Sequence, residues 1–181
     1  MRKVFHCKMA SGETIGYAML GDIGKGDTGD SYTMDGRWAV FGSGWYTVGG
    51  ATEGIVLKKE ELQDRHVLAA AQLLREVATD DMVMGFWFNG TLCFFDNSNI
   101  VFGLDEAMAM ANERKEQAIW DCGEKKDVDT VYKTGKVMEK KAAGCNNRPA
   151  RPLAKSYRSL TEDEKKMGAR IVASRKLHPF E

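Results

Sequence analysis

The clearest periodic pattern in the chain lies between Lys58 and Val77. Core-type positions recur there at spacings of three and four, which places them on one face of an α-helix. That face comprises Leu62, His66, Ala69, Ala70, Leu73 and Val77. The polar run "TDD" at 79–81 follows and ends the pattern. We therefore expect an amphipathic helix that buries one side against the rest of the fold.

Segments rich in β-branched and aromatic residues predict strands in the first third of the chain. "KVFHCKM" and "ETIGYAML" flank the short turn "ASG" and predict a hairpin. "RWAVFGSGWYTVGG" and "EGIVLKK" predict two further strands, whose glycines indicate bends or bulges. "GDIGKGDTGD" at 21–30 is predicted to be a long mobile loop that joins strands, because loops favour Gly and Asp.

The strongest hairpin signal is Asn89-Gly90, the dipeptide best suited to a two-residue type I′ turn. With this turn, Phe86 opposes Cys93 and both faces of the hairpin are apolar. One face carries Met84, Phe86, Phe88, Cys93 and Phe95; the other carries Val83, Trp87, Leu92 and Phe94.

A hairpin with two apolar faces must be covered on both sides. The glycine-rich segment 37–57 is one candidate for the second cover, and another copy of the chain is the other. We expect a homodimer in which Trp87, Leu92 and Phe94 form the oligomer face.

Residues after the hairpin predict a strand, a helix and a second pair of strands. "NIVFG" is typical of a strand, and the helix is expected from about Asp105 to Glu116, with acidic residues in its first turn. "AIWD" and "DTVYKT" predict strands on either side of the polar turn "CGEKKD".

The last 45 or so residues differ from the rest in charge. Between Lys133 and Arg158 there are eight basic residues against one acidic residue, Glu139. A helix then follows, which Thr161 and Glu164 are placed to cap reciprocally. We predict an α+β fold, a curled antiparallel sheet packed with two to three helices, divided into a core domain at 1–135 and a basic linker with a C-terminal helix at 136–181.

The composition is typical of a globular protein, but it does not indicate the kind of partner. The 181 residues are 43% hydrophobic and 29% charged, and 26 Lys and Arg balance 26 Asp and Glu, so the net charge is zero. The four cysteines have no C-x-x-C spacing and the N-terminus has no signal-like apolar run, which indicates reduced thiols in the cytoplasm. No apolar run approaches the length of a membrane span.

None of the motifs for catalysis or for metal binding has the required spacing. Lys25 is followed by Gly26 and Asp27, where a phosphate loop needs Ser or Thr and then a helix. Asp27, Asp30 and Asp35 do not have the spacing of a calcium loop. The three histidines form no catalytic set in the sequence. We expect no catalytic residue, no metal site and no cofactor, and keep as the alternative a Mg²⁺-dependent nuclease with Asp80, Asp81, Asp96 and Asp105 at one edge of the sheet.

The basic segment is the best functional signal in the sequence. Its residues could neutralise RNA or DNA phosphates, with Tyr132 and Tyr157 available for stacking. A solvated tether and an acidic protein surface are the alternatives. The residues that we expect to bind a partner or nucleic acid are Lys140, Lys141, Arg148, Arg151, Lys155 and Arg158.

"LDEAMAMANERKEQAIWD" resembles a helix-then-strand pattern found in small accessory proteins of phages, plasmids and integrative elements of Firmicutes. The Met-rich αβ chain with its basic tail is similar to anti-CRISPR proteins that inhibit type II-A Cas9. The resemblance implies a non-enzymatic inhibitor, in the cytoplasm of a bacterial host, that binds a host nuclease such as a Cas9–guide RNA complex and blocks DNA binding or cleavage. The alternatives are the nuclease above and a nucleic-acid-binding accessory protein.

Overall fold

The computed structural model describes residues 11–37, 39–132 and 157–177. These residues form four α-helices and an eight-stranded, mainly antiparallel sheet, which confirms the predicted α+β class. The helices are α1 Gly12–Lys25, α2 Asp64–Val77, α3 Leu104–Arg114 and α4 Glu162–Leu177. The strands are β1 Gly29–Thr33, β2 Trp45–Val48, β3 Gly54–Lys58, β4 Met82–Phe88, β5 Leu92–Phe102, β6 Ala118–Asp121, β7 Lys126–Asp129 and β8 Tyr157–Arg158.

The segment "ETIGYAML" lies in helix α1, so the predicted strand was wrong. The side chain of Ser11 caps this helix by accepting a hydrogen bond from the backbone N–H of Thr14, at 3.2 Å. Ile15 and Met19, one helical turn apart, are fully buried. The strand prediction failed because Thr, Ile and Tyr favour strands and the glycines lower helix propensity. The predicted partner strand, "KVFHCKM", lies outside the described residues.

"GDIGKGDTGD" is the end of α1 and the start of β1, so the predicted long loop was also wrong. Lys25 is the last helical residue, and Gly26 caps the helix at φ 92°. This left-handed conformation is one that glycine adopts without steric cost. Asp27 and Thr28 are the two residues left between the cap and β1.

Helix α2 is the most deeply buried helix because α1 and α4 pack on it from two sides. A Cβ atom on Gly12 of α1 would lie 2.5 Å from Cα of Gln72 in α2. A Cβ on Gly168 of α4 would overlap the carbonyl oxygen of Arg65. These glycines let the helix backbones approach closely.

The predicted face of α2 is confirmed in its first half only. His66, Ala69 and Ala70 are buried, and His66 places Nδ1 2.7 Å from the carbonyl oxygen of Glu61. Val77, however, is 57% exposed. The buried face is wider than one stripe because it meets two helices and the sheet; it comprises His66, Val67, Leu68, Ala69, Ala70, Ala71 and Leu74.

The sheet has the strand order β1-β4-β5-β2-β6-β7. Strand β3 pairs with β5 at 92–95, whereas β2 pairs with β5 at 99–102, so β2 and β3 follow the same edge of β5. Strand β8 adds to the free side of β3 in the parallel direction. The glycine-containing segment 49–53 joins β2 to β3 and bends at Ala51 and Thr52, within a stretch where the sequence predicted bends or bulges.

The hairpin formed by β4 and β5 exists as predicted, but its register differs by two residues. Phe86 pairs with Phe95, where a two-residue turn would pair it with Cys93. The longer loop arises because the Asn89 side chain accepts hydrogen bonds from the backbone N–H groups of Thr91 and Leu92, at 3.0 and 2.8 Å. Since a two-residue shift preserves the side-chain alternation, the predicted faces are unchanged.

Candidate binding face of the sheet

Strand β5 defines which residues lie on which face of the sheet. Its odd-numbered residues Cys93, Phe95 and Val101 are buried in the cores beneath the helices. Its even-numbered residues Phe94 and Phe102 therefore lie on the opposite face. Residues that oppose each other on antiparallel strands share a face. We call the face of Phe94 and Phe102 the open face.

The open face carries every tryptophan in the described part of the chain. Trp87 opposes Phe94, Trp45 opposes Phe102, and Trp120 opposes Thr47, which in turn opposes Ile100. Trp45, Trp87 and Trp120 are 37%, 50% and 40% exposed, respectively. Because large aromatic side chains are usually well buried, an exposed set on one face is a candidate interaction surface.

The aromatic rings of the open face form two clusters near opposite ends of β5. The proximal cluster consists of Trp87, which stacks on Phe94 at 5.5 Å and 23°, and Tyr157, whose ring meets Phe94 edge-on at 5.0 Å. The distal cluster consists of Phe41, Trp45 and Phe102, with 5.2 Å between the centroids of Trp45 and Phe102, and we include Trp120 because it shares this face on the adjacent strand β6. Eight residues of extended strand separate Phe94 from Phe102, which corresponds to roughly 25 Å.

Two carboxyl groups lie beside the proximal cluster. The hydroxyl of Tyr157 donates a hydrogen bond to Oδ2 of Asp96 at 2.8 Å. A Cβ atom on Gly49 would lie 2.6 Å from the same Oδ2 and 3.3 Å from Oε2 of Glu116, so both carboxyl groups approach one point of the backbone. Arg114 lies close by and donates to the carbonyl oxygen of Gly49 at 3.0 Å.

Burial raises the pKa of both carboxyl groups, and the charge of Asp96 adds to the increase for Glu116. Burial, followed by the charge of Asp96, raises the pKa of Glu116 to about 7, and Arg114 offsets part of that increase. Burial also raises the pKa of Asp96, against the hydrogen bond from Tyr157. Glu116 is therefore close to half ionised at neutral pH. Sequence reading missed this pair because the two carboxyl groups meet beside Gly49 and Gly50, in the segment between β2 and β3.

The structure describes one of the six predicted basic binding residues, Arg158; Lys140, Lys141, Arg148, Arg151 and Lys155 lie outside the described residues. Arg158 lies in β8 and donates to both carboxylate oxygens of Glu164 at 2.8 Å. It also lies 3.3 Å from Glu53. This hydrogen-bonded pair holds the pKa of Glu164 down to about 2. Arg158 thus links β8 to α4, a structural role that sequence reading did not anticipate.

The predicted oligomer face lies on the open face. Trp87 is half exposed, and Leu92 and Phe94 are half-buried. The helices cover the other face of the hairpin, whereas the sequence predicted cover on both faces. Pairing of two copies through Trp87, Leu92 and Phe94 stays a prediction.

The four aspartates of the nuclease alternative occupy three separate places. Asp80 and Asp81 lie at the turn before β4, Asp96 lies within β5, and Asp105 lies in the first turn of α3. Within the described ranges, the group of acidic side chains close enough to share a metal ion is a different one: Asp22, Asp27 and Asp30, within 4.8 Å.

Asp22, the buried member of that group, already has partners within the protein. It accepts a hydrogen bond from the hydroxyl of Tyr32 at 2.5 Å and pairs with Lys25 at 2.9 Å. Burial, followed by the charge of Asp22, raises the pKa of Asp30. These contacts connect α1 to β1 and give the aspartates a structural role.

A shallow cavity lies between the end of α2 and β3. It has a volume of about 220 Å³, and Leu73, Val77, Glu53 and Arg158 contribute to its lining. Pockets for small ligands are usually larger, about 300 to 1,000 Å³. The open face is therefore the better candidate for a functional surface.

Comparison with protein-family models, with curated proteins and with solved structures gives no match. No helix in the described part of the chain combines the length and apolar character that a membrane span requires. The functional argument thus depends on the geometry of the open face.

Proposed function

We propose that this protein is a non-enzymatic inhibitor from a mobile element, which binds a host defence nuclease such as a Cas9–guide RNA complex and blocks DNA binding or cleavage. The observation that carries the proposal is the open face, with its exposed tryptophans opposite a face covered by helices. Tryptophan is the side chain most enriched among residues that dominate the energy of protein interfaces. The inhibitor acts in the cytoplasm of the bacterial host and needs no cofactor.

The two ends of the open face have different roles in this proposal. The proximal cluster, with Leu92 beside it, pairs two copies of the chain. The distal cluster binds the protein component of the nuclease complex. The basic segment between Lys133 and Arg158 contacts the nucleic acid, because its charges suit phosphate groups.

A binding and cleavage experiment tests the proposal. The protein is incubated with labelled guide RNA, with labelled DNA, with Cas9 alone and with the Cas9–guide RNA complex, each with and without Mg²⁺. We expect tight binding to the assembled complex and loss of DNA cleavage, with the RNA and DNA left intact. Mg²⁺-dependent degradation of the labelled strands would instead establish the nuclease alternative. Equal affinity for nucleic acid alone would establish the accessory protein.

Neutralising Arg148, Arg151 and Lys155 together to Gln should weaken binding to the complex and reduce its salt dependence. For each phosphate group that the variant no longer neutralises, the slope of log K against log salt becomes shallower by about 0.7 to 0.9. Arg158 is left unchanged because its pairing with Glu164 stabilises the fold.

The control for this prediction is Lys125→Gln, in the turn between β6 and β7, combined with Lys126→Gln at the start of β7. It removes basic charge outside the basic segment and should leave the salt slope unchanged. Affinity measured at several salt concentrations distinguishes the cases. A triple variant with the parental slope would show that the basic segment is a tether.

Trp87→Lys should convert a homodimer into a monomer. A charge at the centre of the proximal cluster would have to be desolvated on pairing, which opposes association. Sedimentation equilibrium at micromolar concentration should give the parent a mass of twice the 20.1 kDa of one chain. The variant should have the mass of one chain. Trp120→Lys, in the distal cluster, should remain dimeric. A parent that sediments as one chain would contradict the homodimer.

A further inference from the structure

Strand β8 is attached to the sheet mainly through the side chain of Tyr157. The strand has only two residues, which pair with Gly54 and Ile55 of β3. The ring of Tyr157 lies over Gly54, where a Cβ atom would be 2.6 Å from its Cδ1 and Cε1. Its hydroxyl group donates a hydrogen bond to Oδ2 of Asp96 in β5, at 2.8 Å. Because so short a pairing is weak by itself, the contacts of Tyr157 provide the main attachment.

The contacts of Arg158, the other residue of β8, do not replace this attachment. Arg158 donates to both carboxylate oxygens of Glu164, but Glu164 belongs to α4 rather than to the sheet. The ion pair of Arg158 with Glu53, at 3.3 Å, connects β8 to the residue before β3, and the Glu53 side chain is 60% exposed. Exposed ion pairs contribute little to stability. The position of β8 on the sheet thus depends on the acceptor of the Tyr157 hydroxyl, Asp96.

A second carboxyl group lies beside this acceptor. A Cβ atom on Gly49 would be 2.6 Å from Oδ2 of Asp96 and 3.3 Å from Oε2 of Glu116, so these two oxygens are at most about 6 Å apart. Oδ2 is the same oxygen that accepts the hydrogen bond from Tyr157. Among the described residues, the titratable and charged groups that act on Glu116 are Asp96 from β5, Arg114 from α3 and Tyr157 from β8.

We infer that Asp96 and Glu116 form a proton-controlled latch, which holds β8 on the sheet while Glu116 is neutral and releases it when Glu116 is ionised. With Glu116 neutral, Asp96 has the single negative charge and accepts the Tyr157 hydroxyl. Ionisation of Glu116 adds a second negative charge close to the same oxygen, where burial weakens the screening by water. Release of Tyr157 lets water reach both carboxylates and so lowers the free energy of the doubly charged pair.

The latch opens as the pH rises toward neutrality. The pKa of Glu116 is about 7 in the folded protein, whereas its ordinary value is 4.5. Once Tyr157 is released, Glu116 regains water and its pKa returns toward the ordinary value. Opening therefore releases a proton between these two pH values, so the equilibrium constant for opening increases by up to about tenfold per pH unit. Above about pH 7 both forms are ionised and the constant no longer changes.

Amide hydrogen exchange can measure the opening of the latch. Protection factors of the β3 and β8 backbone amides, corrected for the intrinsic exchange rate at each pH, would be followed by NMR from about pH 5 to about pH 8. We expect the parent to lose roughly tenfold to a hundredfold in protection up to neutral pH, and little more above it. Glu116→Gln should keep its protection throughout, because glutamine stays neutral. Tyr157→Phe should have low protection at every pH, because phenylalanine cannot donate to Asp96.

Two controls separate the latch from a change in the stability of the whole protein. Glu113→Gln, at an exposed position of α3, should follow the parent. The amides that pair β1 with β4 are an internal reference, since β1 and β8 lie on opposite sides of β5. A loss of protection that is equal in this reference would report global unfolding and overturn the inference. Constant protection of β3 and β8 in the parent, or a loss that persists in Glu116→Gln, would overturn it too.

The exchange measurement needs neither a nuclease nor a second copy of the chain, so it is independent of the proposed function. Tyr157 belongs to the proximal cluster, where its ring contacts Phe94, so opening of the latch removes one ring from that cluster. If two copies pair through this cluster, the parent dimer should be weaker at about pH 8 than at about pH 5, and the Glu116→Gln dimer should not change. A parent that sediments as one chain at both pH values, but loses β8 protection as described, would reject the homodimer and retain the latch.

Discussion

Gly168→Ala should lower the free energy of unfolding by about 2 kcal/mol or more, although alanine is the better helix former. The added methyl group would overlap the backbone carbonyl of Arg65, and it would also come within 3.0 Å of Cβ of Ala69. Backbone atoms cannot rotate away as a flexible side chain can. The change must therefore push α4 away from α2 and open the core between them.

The control for Gly168 is Gly21→Ala, in α1. Gly21 also lies inside a helix, but a Cβ there would have no neighbour within 4 Å. Alanine at this position should raise the free energy of unfolding by about 0.5 to 1 kcal/mol, because it reduces the freedom of the unfolded chain. Urea unfolding curves of both variants measure the difference. A gain of stability in both would show that α4 does not pack on α2 through Gly168.

The sequence alone predicted those elements whose hydrophobic repeat or turn residues agree with the way they pack in the fold. Helix α2 was predictable because its buried positions follow the helical repeat. The hairpin was predictable because Asn89 and Gly90 separate two apolar runs, although the Asn89 side chain selects a longer loop than the dipeptide alone suggests. In both cases local propensity and tertiary packing favour the same structure.

Helix α1 could not be predicted in this way because its glycines serve packing rather than propensity. Gly12 and Gly16 let α1 contact α2 closely, and this contact exists only in the folded protein. Read as a local signal, each glycine instead argues against a helix. Ser11 and the i, i+4 spacing of Ile15 and Met19 were the available signals for the helix.

The candidate site was predictable only where it coincides with the hairpin. The alternation of residues around Asn89-Gly90 gave the hairpin a second apolar face, and this face contains Trp87, Leu92 and Phe94. Trp45 and Trp120 could not be assigned to the same face, because that assignment requires the pairing of β2 with β5 and β6. These pairings join residues that are far apart in the sequence, so a local sequence pattern cannot predict them.

Glu116 is the second position at which a substitution should change stability strongly, and the effect depends on pH. Burial and the charge of Asp96 raise its pKa from 4.5 to about 7. Between these values the unfolded chain loses a proton that the folded protein retains. The free energy of unfolding must therefore fall as the pH rises through this window and remain lower above it. The carboxyl of Glu164, with its pKa lowered to about 2, loses its stabilising effect below the window and does not interfere.

Glu116→Gln should remove this loss, because glutamine stays neutral at every pH. We expect the variant to gain about 2 to 3 kcal/mol of stability over the parent between about pH 5 and about pH 8. Part of that gain comes from Asp96, which no longer faces a second negative charge. Urea unfolding across this pH range measures the gain, with Glu113→Gln, an exposed position of α3, as the matched control. Parallel curves for the parent and Glu116→Gln would show that neither burial nor the charge of Asp96 raises the pKa of Glu116 in the folded protein.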